Sequence, residues 1–325
     1  MKGRSAGKVK EIALKRSVLK ELSSVLCKDI QKPQVGIDAS GCILDDENSL
    51  LTSVATMEGL TDTFVISTIN RALNNLYIQE ASPIGITMSL TLRYGASEQE
   101  IKKLMRVISE ECTKHGIPVL GGETTRSRSA CEHILTIQAL GTKKLSRNIK
   151  TDLTGLQIVM AGNAGMAGTI QIYEKESEKL RTRFSERFLH GINPMKQQLS
   201  VREQRKIAGD VICAHDVSEG GIFTALWEMG EYLNCGMRIT LPNLLLSQET
   251  IELSEFFDIN PYLLFSLGCS IYVTADGGGL VDRFTQEGIR AAVIGTLTGD
   301  SDRILDNEEE IRYLEPFKGD EMYKL

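Results

Sequence analysis

Apolar residues recur along the chain at two spacings, one typical of helices and one typical of strands. Intervals of three and four residues predict helices over 10–27, 62–79 and 98–115. Ser97 and Glu100 predict a capping box at the start of the last of these helices. Short apolar runs predict strands, and these cover 84–92, 133–140, 156–161, 211–214, 237–240, 270–274 and 292–296. In the second half of the chain, further helical regions are predicted over about 167–190 and 198–208, and a helix is predicted after Gly220 and Gly221. Together the two spacings predict a mixed α/β protein.

Polar segments divide this pattern into three parts. The apolar runs 34–44 and 49–55 flank an acidic turn at 45–48, which predicts a β-hairpin. The polar segment 147–156 precedes a new strand and is the predicted domain junction. We therefore expect a lead helical extension over 1–33, an N-terminal domain over 34–152 and a C-terminal domain over 153–325.

Composition narrows the class of protein. The chain has 325 residues, a formal net charge of −6 and 7 cysteines. Proteins that bind nucleic acid or anionic membranes in general need a basic face. The acidic net charge of this chain therefore argues against both kinds of partner. No apolar run is long enough to span a membrane and the start lacks a signal-peptide pattern, so we expect a cytoplasmic protein with reduced thiols.

Residues 1–32 differ from the rest, because they carry nine Lys or Arg and only three acids. This basic lead helix is either a flap or partner-binding element, or a solvated surface.

The strongest chemical signal is the octet 214–221, Ala-His-Asp-Val-Ser-Glu-Gly-Gly, at the end of a predicted strand. A carboxylate there can hold a metal ion or orient the loop, and the glycines let helix-terminal N–H groups approach an anion. The alternative interpretation is that Asp216 or Ser218 only caps the following helix. A second glycine turn at 162–168 also has two interpretations, a close approach to a phosphate or a helix-entry loop without a ligand.

The octet resembles the His-Asp-Val-Ser-Asp-Gly-Gly element of the PurM-type, AIR synthase-related ATP-binding superfamily. Other segments are similar to motifs of that family in the same order along the chain. They are Val-Gly-Ile-Asp-Ala at 35–39, Thr-Ser-Val at 52–54, Asn-Asn-Leu at 74–76, Ala-Ser-Pro at 81–83, Gly-Gly-Glu-Thr at 121–124 and Asp-Ile-Asn-Pro at 258–261. The resemblance covers about 35–300, and the later motifs are most similar to HypE-like hydrogenase maturation proteins.

The resemblance implies a two-domain AIR synthase-like fold whose N-terminal sheets pair in a homodimer. It also implies ATP as a ligand, with Mg²⁺ held by Asp38, Asn75 and Glu123 and completed by Asp216. The implied catalytic pair is Asp216 and His215. Asp38, Asn75 and Glu123 are also implied to bind the nucleotide, and the further implied nucleotide-binding positions are Gly121, Gly122, Thr124, Gly220 and Gly221. The acceptor of a transferred phosphoryl group is an unknown small molecule or protein.

The chain departs from the family's acidic pattern at three positions. Ile37, Val54 and Asn75 stand where the family has carboxylates. Ile and Val remove a metal ligand and its charge, whereas Asn keeps one oxygen and loses the charge, so Mg–ATP affinity should be lower. The chain end departs from HypE, which depends on a C-terminal cysteine. No cysteine follows Cys269 in this chain, which argues against the thiocyanate-forming reaction.

Two functional hypotheses follow from these residues. The first is a HypE-like protein that binds ATP and activates a carbonyl or amide oxygen by phosphoryl transfer. The second is a catalytically degenerate nucleotide sensor or assembly partner that keeps the dimeric fold. The missing carboxylates separate the two, because a site with too little metal charge can bind a nucleotide without turning it over.

Overall fold

A computed structural model describes residues 7–22, 33–37, 39–145, 152–308 and 310–325. These residues form two compact units. One unit comprises 39–145, and the other comprises the two short N-terminal ranges and the described residues after 151. The domain boundaries at 33/34 and 152/153 remain predictions. Asp38, a predicted metal ligand, lies outside the described residues.

The lead helix, predicted over 10–27, begins with α1 (Glu11–Leu14) and continues as a π-helical turn (Lys15–Leu19). The last five residues of that prediction lie outside the described part of the chain. Val18 and Leu22 belong to the apolar stripe and are 39% and 44% exposed. None of the helical residues 11–19 is buried, and Leu14 and Leu19 of the stripe are half-buried.

The unit 39–145 contains a five-stranded sheet and two helices. Its elements are β1 (Ser40–Ile43), β2 (Asn48–Gly59), α2 (Asp62–Ile78), β3 (Ser82–Leu92), α3 (Glu98–His115), β4 (Val119–Arg126) and β5 (His133–Lys144). The strand order is β1-β2-β5-β3-β4, and only β3 and β4 are parallel among these neighbours. The helix α2 packs on the sheet, and α3 packs on α2. The predicted hairpin, both helices and both strands of this unit are confirmed.

Side-chain alternation decides which face of β2 is covered. Ser49, Leu51, Ser53 and Ala55 are buried, whereas Val54 is 59% exposed. Successive strand residues point to opposite faces, so α2 packs on the side of the four buried residues. Val54 lies on the open face.

Capping residues fix both ends of α3. The Ser97 hydroxyl accepts from the Glu100 N–H at 3.2 Å, and the Glu100 carboxylate accepts from the Ser97 N–H at 2.7 Å. The helix ends at Gly116, whose φ of +69° is a left-handed conformation that favours glycine. The predicted capping box is therefore confirmed.

The second unit contains a seven-stranded sheet. Its strands are β6 (Gln157–Ala161), β7 (Cys213–Asp216), β8 (Gly236–Thr240), β9 (Ser270–Thr274), β10 (Ala291–Thr298), β11 (Arg303–Asp306) and β12 (Ile311–Tyr313). They lie in the order β12-β11-β8-β10-β6-β9-β7. The helices are α4 (Met166–Lys175), α5 (Ser177–Leu180), α6 (Glu186–His190), α7 (Arg202–Ala208), α8 (Gly221–Leu233), α9 (Gln248–Phe257) and α10 (Gly277–Gln286). Central strands and α8 share one core, which includes the fully buried Ile158, Val273 and Leu226. Across the described residues, no helix has the length and apolar character needed to cross a membrane.

Five of these elements are absent from the predictions made from hydrophobic spacing: β4, α9, α10, β11 and β12. Every residue of β4 and of β12 is exposed, so neither strand carries an apolar alternation. Side-chain caps mark the two helices instead. Ser247 accepts from the Thr250 N–H at the start of α9, and Asp276 accepts from the Gly279 N–H at the start of α10.

A buried polar network joins α2 to α3. The Glu111 carboxylate accepts from Asn70 Nδ2 at 2.6 Å and from Lys114 Nζ at 2.8 Å. His115 Nε2 lies 3.2 Å from Asn70 Oδ1 and 3.5 Å from Glu111 Oε1, while Tyr77 Oη lies 3.0 Å from His115 Nδ1. Because Nε2 faces two acceptors, it carries the hydrogen and Nδ1 accepts from Tyr77. Burial raises the pKa of Glu111, but hydrogen bonds from His115, Lys114 and Asn70 outweigh it and lower that pKa to about 2.

Acid should therefore destabilise the unit 39–145 through Glu111. A carboxylate with a lowered folded-state pKa stabilises the fold above its ordinary pKa of 4.5, and this contribution is lost as the pH falls towards 2. We expect the wild type to lose up to about 3 kcal/mol of unfolding free energy over that range through this group. Glu111→Gln should lack this part of the acid response. Urea unfolding followed by far-UV circular dichroism measures it.

Glu110→Gln is the matched control, because Glu110 is exposed on the same helix. It should keep the wild-type acid response. An equal acid response in the wild type and both variants would contradict the role of Glu111.

Candidate functional site

The octet 214–221 joins β7 to α8. Asp216 ends β7, which pairs with β9, and α8 begins at Gly221. Gly220 and Gly221 have φ values of +83° and +64°, a backbone region that favours glycine. His215 and Asp216 are buried, with 3% and 2% of their surface exposed. The predicted strand-to-helix turn is confirmed, and it holds a buried carboxylate close to a helix N-terminus.

Hydrogen bonding fixes the orientation of His215. Its Nδ1 lies 2.6 Å from the backbone carbonyl oxygen of Asp216, and a carbonyl oxygen only accepts, so Nδ1 carries a hydrogen. Nε2 lies 3.8 Å from Oε2 of Glu228 on α8. Glu228 also forms an ion pair with Lys8. Glu228, which no sequence motif marks, therefore links the predicted catalytic histidine to the lead segment.

The C-terminal segment of the chain contacts the first glycine of the pair. The Gly220 N–H donates to Oδ2 of Asp320 at 2.6 Å. The Gly221 N–H donates to the carbonyl oxygen of Ser218 at 3.1 Å. The Phe317 ring lies against Gly220, since a Cβ on that glycine would be 2.6 Å from Cδ2 of the ring. A phosphate can reach the Gly220 N–H only after Asp320 has left it.

Asp320 is 4% exposed and is held by three backbone N–H groups. Besides Gly220, the N–H groups of Phe265 and Met322 donate to its Oδ1 at 3.2 Å and 2.9 Å. Burial raises the pKa of Asp320 to about 7, against the lowering effect of these N–H groups, and the charge of Glu219 adds to the rise. Reasoning from the sequence missed this residue, because it lies 100 positions from Gly220 and no local motif marks it.

The second glycine turn, 162–168, makes its hydrogen bonds within the protein. The Gly162 N–H donates to the carbonyl oxygen of Arg290 at 2.9 Å. The Gly165 N–H donates to Oγ of Ser266 at 2.6 Å. These partners favour the interpretation of the turn as a helix-entry loop without a ligand.

The lead segment contacts α8 through polar side chains. Trp227 Nε1 donates to the Glu11 carboxylate at 2.9 Å, and Lys15 Nζ lies 3.0 Å from Oε2 of Glu231. Arg303 stacks on the Trp227 ring at 4.3 Å and pairs with Glu231 at 2.9 Å. At Lys15 the basic face thus takes part in an intramolecular contact, although none of the helical residues 11–19 is buried.

In the unit 39–145, Asn75 lies on α2 and contacts β2. Its Nδ2 donates to Oγ of Ser53 at 2.8 Å, which leaves the amide oxygen as the atom for a cation. Ser53 is buried on the covered face of β2, while Val54 points to the open face. The position where the family has a second acid is therefore an exposed apolar side chain.

The remaining predicted nucleotide-binding positions of this unit lie on the exposed edge strand β4: Gly121, Gly122, Glu123 and Thr124. In register, Glu123 lies beside Ser89, Ser89 beside Thr136, and Thr136 beside Thr56. Partners in register share a face, so Glu123 lies on the open face while Asn75 contacts the covered one. The strands β2 and β4 are three strand spacings apart, about 14 Å. Within one chain the structure does not bring Asn75 and Glu123 together.

These positions supply oxygen donors of the kind that Mg²⁺ takes. In the part of the chain that the structure describes, no three His, Cys, Asp or Glu side chains are grouped to hold a metal ion. Asp38 cannot be placed against them, because it lies outside that part. The donor type therefore fits Mg²⁺, but the described side chains of one chain do not converge on an ion.

Both units match models of one protein family. The N-terminal domain of AIR synthase related protein matches residues 45–142, and its C-terminal domain matches residues 155–306. The chain belongs to the AIR synthase-related family. Membership confirms the resemblance that the sequence motifs carry, and it confirms the predicted two-domain α/β fold.

Curated relatives of this AIR synthase-related protein share low identity with it. A putative hydrogenase expression/formation protein of Methanocaldococcus jannaschii is 20% identical over 202 residues, which cover 62% of this chain and 58% of the relative. Phosphoribosylformylglycinamidine synthase subunit PurL of Thermoplasma volcanium is 24% identical over 202 residues, which cover 58% of this chain and 25% of the relative. The chain thus spans between a quarter and three fifths of the length of these relatives.

Solved structures share the fold of this AIR synthase-related protein over nearly its whole length. A chain of a HypE–HypF complex matches with a TM-score of 0.73 and 16% identity, covering 93% of this chain and 100% of that one. AaThiL in complex with AMPPCP and TMP matches with a TM-score of 0.73 and 16% identity, covering 98% and 99%. HypE in complex with ATP matches with a TM-score of 0.68 and 13% identity, covering 98% of each chain. At these identities the match establishes the fold.

Gly162→Ala should destabilise the second unit without any ligand present. Gly162 has a φ of +80°, and an added Cβ would lie 2.3 Å from the Gly268 carbonyl oxygen. We expect a loss of about 2 to 4 kcal/mol in the free energy of unfolding. Urea unfolding followed by fluorescence of Trp227, the single tryptophan, measures it.

The matched control is Gly278→Ala. A Cβ at Gly278 would meet no atom within 4 Å, so this variant should be as stable as the wild type. Wild-type stability of Gly162→Ala would contradict the interpretation of 162–168 as a packing turn.

The second unit should become less stable as the pH rises towards 7, because the folded-state pKa of Asp320 is raised. Below the ordinary pKa of 3.8 the contribution of this group is fully present, and it is lost as the pH rises through about 7. Between pH 5 and pH 8 we expect a loss of about 2 to 3 kcal/mol through Asp320. Urea unfolding of the wild type and of Asp320→Asn at both pH values measures the contribution of Asp320 to the free energy of unfolding. The same pH dependence in both proteins would show that the carboxyl group titrates as it does in the unfolded chain.

Proposed function

We propose that this protein binds ATP. The observation that carries the proposal is the turn at 214–221, where the buried Asp216 precedes two glycines at the start of a 13-residue helix. Such a turn combines N–H donors, the positive end of a helix dipole and a carboxylate that can hold a counter-ion. Two solved proteins of the same fold, HypE with ATP and AaThiL with AMPPCP, support a nucleotide as the ligand class.

Mg²⁺ is the proposed counter-ion of the nucleotide. Asp38, Asn75, Glu123 and Asp216 are its proposed ligands, and the ion would neutralise charge on the triphosphate. Asn75 contacts β2 on the covered face of the sheet, whereas Glu123 lies on β4 on the open face. A site that uses both residues therefore needs two copies of the chain.

We propose a homodimer formed through the open face of the sheet in the unit 39–145. Val54 lies on that face and is 59% exposed. On the neighbouring strand β5, Ile134 and Leu140 alternate with buried residues, so they lie on the same open face, where they are half-buried. Pairing two such sheets would remove this apolar surface from water.

Two functions are compatible with ATP binding, and they differ in turnover. One is ATP-dependent phosphoryl transfer to a carbonyl or amide oxygen of a small molecule or protein. The other is a nucleotide sensor or assembly partner without turnover. The neutral pair of Asn75 and Ser53 and the apolar Val54 favour the second function, because they bring no charge to positions that are acidic in the family pattern.

Asn75→Asp should strengthen Mg–ATP binding about tenfold, since it restores a carboxylate where the family pattern has one. The Ser53 hydroxyl can rotate to donate to the new carboxylate, so the contact with β2 is kept. Isothermal titration with ATP in the presence of Mg²⁺ and again in EDTA measures the change. The gain should be confined to the titration with Mg²⁺.

The control variant is Asn234→Asp, which makes the same charge change at an exposed position after α8. It should bind Mg–ATP as the wild type does. No heat at millimolar nucleotide with the wild type and Asn75→Asp would refute ATP binding. Phosphate release by the wild type with a carboxamide or amidine acceptor would decide for the transferase over the sensor.

A further inference from the structure

The C-terminal segment 317–323 lies on the same turn that the proposed function assigns to a nucleotide. Phe317 covers Gly220 on one side, and the Asp320 carboxylate accepts from its N–H. Glu321 fastens the segment at a second place, because it accepts from the Asn260 N–H at 3.2 Å. Tyr323 is 49% exposed, so the end of the segment lies at the surface. The segment is thus held by the buried side chains of Phe317, Asp320 and Glu321, and its end reaches solvent.

The position of the Asp320 carboxylate, which we call the anion seat, is lined by the backbone N–H groups of Gly220, Phe265 and Met322. Gly220 presents its N–H at the start of α8, where the helix dipole favours negative charge. Thr224 adds a second group, since it is only 1% exposed and its Oγ1 has no hydrogen-bond partner among the described residues. That hydroxyl faces Gly220, because a Cβ on this glycine would lie 2.3 Å from it. Asp320 leaves this donor unused.

We propose that the segment 317–323 is an internal plug, which fills the anion seat at the start of α8 with the Asp320 carboxylate and must leave before a phosphate group binds there. This inference rests on the proposed binding of ATP. It adds a regulation that none of the sequence motifs contains. The plug and the phosphate compete for the Gly220 N–H, so each weakens the binding of the other.

The charges around Asp320 make the plug displaceable. Glu219, the neighbour of Gly220, is 9% exposed and carries charge of the same sign; it accepts from the Lys8 N–H of the lead segment at 2.5 Å. Burial and this neighbouring charge disfavour the ionised form of Asp320, whose pKa rises to about 7. A phosphate that arrives with a divalent cation brings its own counter-charge, whereas Asp320 brings none.

Two variants and one exchange measurement test the plug. Asp320→Asn places an amide where three N–H groups need acceptors, and Phe317→Ala removes the ring from Gly220. Each should raise the affinity for Mg–ATP about tenfold in isothermal titration. In the wild type, Mg–ATP should increase hydrogen exchange of the amides in 317–325. Trp227 fluorescence confirms that each variant is folded.

Glu315→Gln is the matched control, because it removes one charge at an exposed position two residues before the segment, where Glu315 pairs with Lys318. It should bind as the wild type does. If Mg–ATP binds the wild type and both plug variants equally, or protects 317–325 from exchange, the plug is wrong and ATP binding stands. If none of the proteins binds Mg–ATP, both the plug and the proposed ATP function are wrong.

Discussion

The start of α8 needs acceptors for its N–H groups, and the chain supplies one from its own C-terminus. The bond from the Gly220 N–H to Asp320 joins the strand-to-helix turn at 214–221 to the end of the chain. The lead segment is tied to the same region, since Lys8 contacts Glu219 and Glu228. Both ends of the second unit therefore meet at the turn that resembles the family's nucleotide site. Under our proposal, ligand binding at this turn depends first on whether Asp320 stays there.

Each of the two units lacks a different feature of the phosphate site that the family pattern implies. In the unit 39–145, Asn75 bonds to Ser53 and Val54 faces outward, so charge is missing where a metal ion would need it. In the second unit the turn keeps its backbone and its buried Asp216, but a carboxylate fills the anion position. Under the proposed function, a nucleotide would therefore bind with less metal charge and against an internal competitor. Both conditions favour weak, regulated binding over rapid turnover.

Hydrophobic spacing predicted most of the fold, because buried faces leave a period in the sequence. The helices α2 and α3 and the strands β6 and β9 are examples. Spacing could not predict β4, since an edge strand that is exposed on every residue carries no such period. Local motifs predicted the octet turn for a similar reason, as its chemistry is contiguous. Asp320 escaped prediction, because its role comes from a contact across 100 residues that only the folded chain creates.

The most direct test of this account is a crystal structure of the full chain with Mg²⁺ and a non-hydrolysable ATP analogue. The account predicts that a phosphate oxygen accepts from the Gly220 N–H, and that Asp320 has moved away together with the segment 317–323. Thr224 Oγ1 should then donate to the same phosphate. The account would be contradicted by an analogue bound elsewhere while Asp320 still accepts from Gly220 at about the 2.6 Å seen here.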